Sequence, residues 1–177
     1  MTEHVVLVDQ DNNVLGTMPK SEVHTKETPL HRGFSAFIFK GKDLLLQQRS
    51  HEKKTWPLVW SNSLCGHPAL NESNADAVKR RLKDELGLHV EHIEEASLYR
   101  YKFTRDGVME NEICPILIGK TDKDPNLNPK EVEAVRWVPW EEFVKETEEH
   151  PERYSEWCIE EVAILKENEK LKKLLEE

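Results

Sequence analysis

Two glutamates pose the first chemical question. Glu110 and Glu112 stand two apart in a segment that reads as β-strand, residues 108–118, and strand residues two apart project from the same face. Both carboxylates then converge beside Ile113, Ile116 and Leu117, where an unpaired charge is costly. Something cationic belongs there, and the plainest occupant is an Arg or Lys partner. His24 and His31 lie seven apart on either side of Pro29, and His67 follows Cys65 and Gly66 in a segment dense with small residues. With eight histidines in the chain, any one alone reads as a surface or hydrogen-bonded side chain. Cys65, alone between Leu64 and Gly66, is by itself a small buried hydrophobe.

The elements that must hold these groups follow from periodicity. Residues 4–8 and 14–18 form a hairpin around Asp11-Asn12-Asn13, with a short helix after Pro19. Residues 34–39 and 44–48 form a second hairpin, its first strand apolar on both faces. A loop rich in Trp and Pro follows. Ala75, Val78, Leu82 and Leu86 then recur at helical spacing, with Ser73 or Asn74 to cap the start and Gly87 to stop the end. Strands are expected over 96–104, 108–118 and 132–138, the first two joined by an Arg105-Asp106-Gly107 turn. Helices are expected over 141–149 and from 156 to about 175, broken at Pro151. The whole reads as one α/β or α+β domain spanning 1–177.

Composition narrows the function. The 177 residues are 33% charged and 37% hydrophobic, with a mean hydropathy of -0.70, and no apolar run approaches the roughly 20 residues of a membrane-spanning helix. The first residues lack the basic start and apolar stretch of a secretory signal, so a cytoplasmic protein is expected. The net charge of -9 speaks against nucleic acid as a partner. That acidity is concentrated in residues 141–177, which hold 13 acids against 6 bases, leaving the body free to offer a basic pocket to a small anion. Three widely spaced cysteines, Cys65, Cys114 and Cys158, give neither a disulfide framework nor a CxxC pair. The closest glycines, Gly33 and Gly41, are eight apart, which excludes both G-x-G-x-x-G and the P-loop.

Residues 66–88 match much of the Nudix box: Gly66, Glu72, Arg80, Arg81, Leu82, Asp84, Glu85, Gly87 and Leu88. Two positions depart from it, Arg81 and the shorter Asp84 each replacing a Glu. A helix that keeps Glu85 and gains Arg81 suits holding a diphosphate better than building a multi-metal hydrolytic cluster. Together with residues 56–68 (WPLVWSNSLCGHP), Glu110 to Pro115 (ENEICP) and the His24/His31 pair, the chain resembles the type I isopentenyl-diphosphate isomerase family over about residues 4–157. The resemblance implies a Nudix-like α/β/α sandwich with a mixed sheet and a C-terminal helical segment. It also implies interconversion of isopentenyl and dimethylallyl diphosphates.

Carried over by motif, it assigns one divalent metal to His24, His31, His67, Glu110 and Glu112, a donor set that suits Mn²⁺ or Zn²⁺, with Mg²⁺ preferring more oxygen. A second ion, Mg²⁺, is expected between Glu85 and the substrate diphosphate. Lys20, Arg49, Lys53 and Arg81 match diphosphate contacts. Protonating an unactivated alkene generates a tertiary carbocation, which needs a strong local acid, exclusion of water and an electron-rich wall that is not nucleophilic. Cys65 and Glu112 are the expected acid/base pair on opposite faces of the substrate, Tyr101 the hydrogen-bond partner of Glu112, and Trp157 the π face toward the cation. Two alternatives are a Nudix pyrophosphohydrolase and a non-catalytic metal- or diphosphate-binding module. Oligomeric state, monomer or homodimer, is open.

Overall fold

The computed structural model describes residues 2–177. Its strands and helices, in chain order, are β1 (His4–Val8), β2 (Val14–Pro19), α1 (Lys20–Val23), β3 (His31–Arg32), β4 (Phe34–Lys40), β5 (Asp43–Arg49), β6 (Trp60–Ser61), β7 (Leu64–Gly66), α2 (Asn74–Leu86), β8 (Ile93–Ser97), β9 (Arg100–Arg105), β10 (Val108–Ile113), β11 (Ile116–Lys120), β12 (Val132–Pro139), α3 (Trp140–Glu149), α4 (Glu156–Leu165) and α5 (Glu169–Glu176). The strands form two sheets. One runs β2-β1-β3-β10-β9; the other runs β12-β5-β4-β11-β8, with β6 added to β5 and β7 to β4.

The larger sheet is the filling of an α/β/α sandwich, as its apolar pattern requires. Along β4, Phe34, Ala36 and Ile38 pack toward α2 with Val78, Leu82 and Leu86, while Phe37 and Phe39 face the C-terminal helices with Phe143, Trp157, Val162 and Leu171. A strand covered on both faces reads as continuous hydrophobicity rather than alternation. Ser73 supplies the cap of α2, its hydroxyl accepting from the Asp76 N–H at 3.1 Å.

Four segments differ from the sequence expectation, two of them for a shared reason. The strands expected at 96–104 and 108–118 are each divided between the two sheets: β8 and β9 separate at Leu98-Tyr99, and β10 and β11 at Cys114-Pro115. Pro115 has no N–H to extend a ladder, so the chain changes sheets there. β3 and β4 do the same at Gly33, running parallel to β10 and β11 respectively. These crossings form a joint, and the strand registers at it pair His31 with Glu112 and Glu112 with Tyr101. The loop after β5 contains two short strands, β6 and β7. The long terminal helix is two helices, because the Asn168 side chain accepts from Leu171 N–H and caps a new start. On these terminal helices Val162 and Leu174 are buried, whereas Ala163 is exposed. No helix among the described residues is long and apolar enough to cross a membrane.

Gly87 closes α2 in the left-handed region at φ 60°, and a Cβ there would stand 3.0 Å from the Asn126 carbonyl oxygen. Gly87→Ala is expected to lose about 1–2 kcal/mol from the left-handed penalty alone, measured by urea unfolding; wild-type stability would show that the end of α2 re-forms without it.

Candidate active site

The joint places four potential ligands together. His24 follows α1, His31 lies on β3, His67 follows β7, and Glu112 comes from β10; one donor atom from each lies within 4.8 Å of the others, and all four are buried. The His31 Nδ1–H donates to the Pro29 carbonyl at 2.9 Å, so a neutral His31 turns the Nε2 lone pair inward. That Nε2 is 3.2 Å from Glu112 Oε1. A lone pair against an anionic oxygen repels unless a proton or metal lies between. Nε2 of His24, Nε2 of His31, Nδ1 of His67 and Oε2 of Glu110 all lack a hydrogen-bond partner. Imidazole and carboxylate donors of this kind fit a divalent transition metal.

Glu110 joins the cluster from its edge: its Oε2 is 3.0 Å from His24 Nε2, and it lies outside the four-residue group. Among the described residues no Arg or Lys pairs with either glutamate, so the plain reading of that strand is replaced by three histidines. Burial opposes ionisation of Glu112, but His67 and His31 outweigh it and hold the carboxyl well below the ordinary range. Burial also resists charge on His31, and Glu112 overrides it to raise that histidine, whereas His67 is lowered by its own burial. The Tyr101 hydroxyl donates to Glu112 Oε2 at 3.0 Å; burial and that carboxylate hold its proton firmly.

Beside the cluster lies a cavity of about 370 Å³, walled by Cys65, His67, Tyr101, Glu110, Glu112 and Trp157, with Lys20, Arg49 and Lys53 also on its lining. Its size falls in the range of small-molecule sites, about 300–1,000 Å³. Trp157 is stacked on Tyr101 with centroids 5.8 Å apart and meets Trp56 edge-on at 5.2 Å. Burial pushes the Cys65 thiol up to about 12, so it is a protonated thiol at neutral pH. Its sulfur donates to Asn62 Oδ1 at 3.2 Å.

Three of the four cations are held by carboxylates. Lys20 pairs with Glu3 at 3.0 Å, Lys53 with Glu131, and Arg81 with Glu85 and, at 3.2 Å, with Glu131. Arg49 donates to the Thr55 and Trp56 carbonyls, which fixes its guanidinium 5.7 Å from the Trp157 ring centroid. Arg81 and Glu85 are buried and absent from the cavity lining; Glu131 and Lys53 connect them to it. The sequence reading missed Glu3, Glu131 and Gly33. No local pattern marks the two acids, which act through residues distant in the chain. Gly33, immediately before a strand buried on both faces, carried a usable signal.

A family model of the NUDIX domain matches residues 29–158. A crystal structure from Deinococcus radiodurans superposes with a TM-score of 0.69 at 18% identity, covering 91% of this chain and 98% of that one. A MutT protein from Methanosarcina mazei gives a TM-score of 0.57 at 24% identity over 67% and 83%. Those likenesses, with the sandwich described above, define a Nudix-fold protein. A protein of Saccharopolyspora erythraea named isopentenyl-diphosphate Delta-isomerase is 43% identical over 93% of this chain and 87% of its own length. One of the same name from Shigella boydii is 38% identical over 98% and 95%. Within the Nudix class, the chain belongs to the isopentenyl-diphosphate Delta-isomerase family.

A Cβ at Gly33 would stand 2.0 Å from Glu112 Oε2. Gly33→Ala is therefore expected to displace Glu112 and weaken divalent-metal binding by about 10–100-fold, the scale of losing a group that orients a ligand. Isothermal titration with Mn²⁺ or Zn²⁺ checks this; unchanged affinity would remove Glu112 from the metal set.

Proposed function

We propose that the chain interconverts isopentenyl and dimethylallyl diphosphates by protonation and deprotonation through a tertiary carbocation, supplying isoprenoid precursors in the cytoplasm. The observation that carries this reading is the convergence of Cys65, Tyr101, Glu112 and Trp157 on one cavity that Lys20, Arg49 and Lys53 also line. A small diphosphate has an anionic head for those bases and an apolar five-carbon tail for the aromatic wall.

His24, His31, His67 and Glu112, with Glu110 at their edge, would hold the metal, as Mn²⁺, Zn²⁺ or Mg²⁺. When bound, the ion supplies positive charge that lowers the proton affinity of the Glu112 carboxyl. Glu112 and Cys65 exchange protons with the substrate from the two sides of its double bond. In one direction the alkene π pair takes a proton from one of them, and the other removes a proton from the adjacent carbon, whose C–H pair becomes the new double bond. The reverse direction exchanges the roles. Tyr101 orients Glu112 through its hydrogen bond, and the face of Trp157 offers electron density to the cation without a nucleophilic atom, an interaction worth about 2 kcal/mol or more when desolvated.

Arg81 acts on the diphosphate side through Glu131 and Lys53. Glu85 would hold a substrate-linked Mg²⁺, which would supply positive charge to the diphosphate. The hydrolase alternative is weakened on the same helix, because Arg81 stands where a box glutamate belongs and removes one of the carboxylates that a hydrolytic cluster would use.

Proton NMR of isopentenyl diphosphate with metal-loaded protein in D₂O tests the reading. Dimethylallyl diphosphate carrying solvent deuterium is expected; phosphate release without isomer would overturn it in favour of hydrolysis. Cys65→Ala is expected to cut kcat by at least about 100-fold, the lower end of general acid–base contributions, with metal binding retained. Chelation should abolish turnover and added divalent metal restore it, and full activity in verified metal-free protein would exclude the ion from the reaction.

A further inference from the structure

Glu161 lies on α4 one turn beyond Trp157 and is 0% exposed. Neither carboxyl oxygen meets a hydrogen-bond partner. The groups acting on Glu161 itself are Ser35 of β4, Glu160 of its own helix and, more remotely, the Glu112 charge; around it stand Cys65 of β7, which also feels the Arg49 guanidinium, Cys114 in the joint, Tyr99 before β9 and Cys158. None of the groups acting on Glu161 itself is a cation. A carboxylate there would be an uncompensated charge in a dry interior, and burial accordingly drives Glu161 well above the ordinary carboxyl range.

Its connection to the reaction runs through Ser35. The Ser35 hydroxyl influences Glu161 without reaching full hydrogen-bond geometry, and Ser35 Oγ is 3.5 Å from the sulfurs of both Cys65 and Cys114. Cys65 in turn donates to Asn62 Oδ1, whose amide is fixed by donating to the Ala36 and Leu64 carbonyls. Ser35 has one proton to give. Against an ionised Glu161 it would be drawn to the carboxylate, because charge-assisted hydrogen bonds are the stronger ones. A neutral Glu161 would instead offer its own proton to the hydroxyl, which leaves the Ser35 proton free for the Cys65 sulfur.

We propose that Glu161 is a positioning residue of the isomerisation, acting in its neutral form through the Ser35 hydroxyl to hold the Cys65 sulfur in place. The inference rests on the role given to Cys65 above. It extends the working site beyond the cavity wall, to a residue that touches neither substrate nor metal.

Three variants and two readouts test it. Glu161→Leu removes the donor and is expected to lower kcat about 10-fold while KM stays within about twofold, the pattern of a group that acts only on the reacting step. Glu161→Gln keeps a donor at every pH and should recover most of that loss. As pH rises, wild-type kcat should fall when Glu161 ionises and Ser35 turns away, and the glutamine variant should lack that fall. Infrared difference spectra of wild type against Glu161→Gln should show the C=O stretch of a protonated carboxylic acid in the wild type alone. Wild-type kcat in Glu161→Leu, an alkaline fall shared with Glu161→Gln, or absence of that band would overturn the proposal. If the leucine variant does not fold, Ser35→Ala should give the same kcat loss from the middle of the path, and wild-type kcat there would overturn it equally. A wild type that does not isomerise would defeat the functional reading itself, while the infrared band still decides the state of Glu161.

Discussion

Glu112 is a carboxylate only 5% exposed, and a buried anion persists only where opposite charge and donors replace the water it has lost. Much of the architecture answers that requirement. Gly33 has no side chain because Glu112 occupies the space where its Cβ would be. β3 runs parallel to β10 so that His31 faces Glu112 in register, and β9 pairs on the other side so that Tyr101 can donate to it. His67 reaches Glu112 Oε1, the oxygen that also faces His31, at 2.8 Å from the end of a strand belonging to the other sheet. One anion thus fixes the geometry of the joint, and the joint explains why three chain segments change sheets within a few residues of each other.

Much of this was legible in the chain. The helix from 74 to 86 announced itself by spacing, cap and terminal glycine, and the twofold alternation of Glu110 and Glu112 placed both carboxylates on one face. Sheet membership was not legible, because a strand that crosses from one sheet to another keeps its β-type pattern across the break; only Pro115 marked one crossing. The tethering of Lys20 by Glu3, or of Lys53 and Arg81 by Glu131, depends on pairs brought together by the fold, which no local pattern encodes. Glu161 is an intermediate case. Residues 157, 158, 161, 162 and 165 form the inward stripe of α4, so an acid on an otherwise apolar face was visible as an anomaly, though its neighbours were not.

Relative to a hydrolytic Nudix site, the differences lie in what is kept from water. Phosphoanhydride cleavage needs water admitted and activated. Alkene protonation needs it excluded, and on the proposed reading the substrate tail would meet the stacked Tyr101–Trp157 pair, with Trp56 against the edge of Trp157. The α2 side differs as well, since Arg81 stands where the Nudix box carries a glutamate and pairs with Glu85.

The long-range pairing of β3 with β10 also bears on how the protein is made. His31 meets Glu112 only after some 80 further residues have been synthesised, and Trp157 arrives later still. Contacts of such sequence separation form late and slowly, so a nascent chain emerging from the ribosome carries the histidines, the thiol and the basic side chains for most of its synthesis without a pocket to unite them. A fragment ending before α4 therefore holds the histidines and the thiol but lacks the Trp157 face of the cavity.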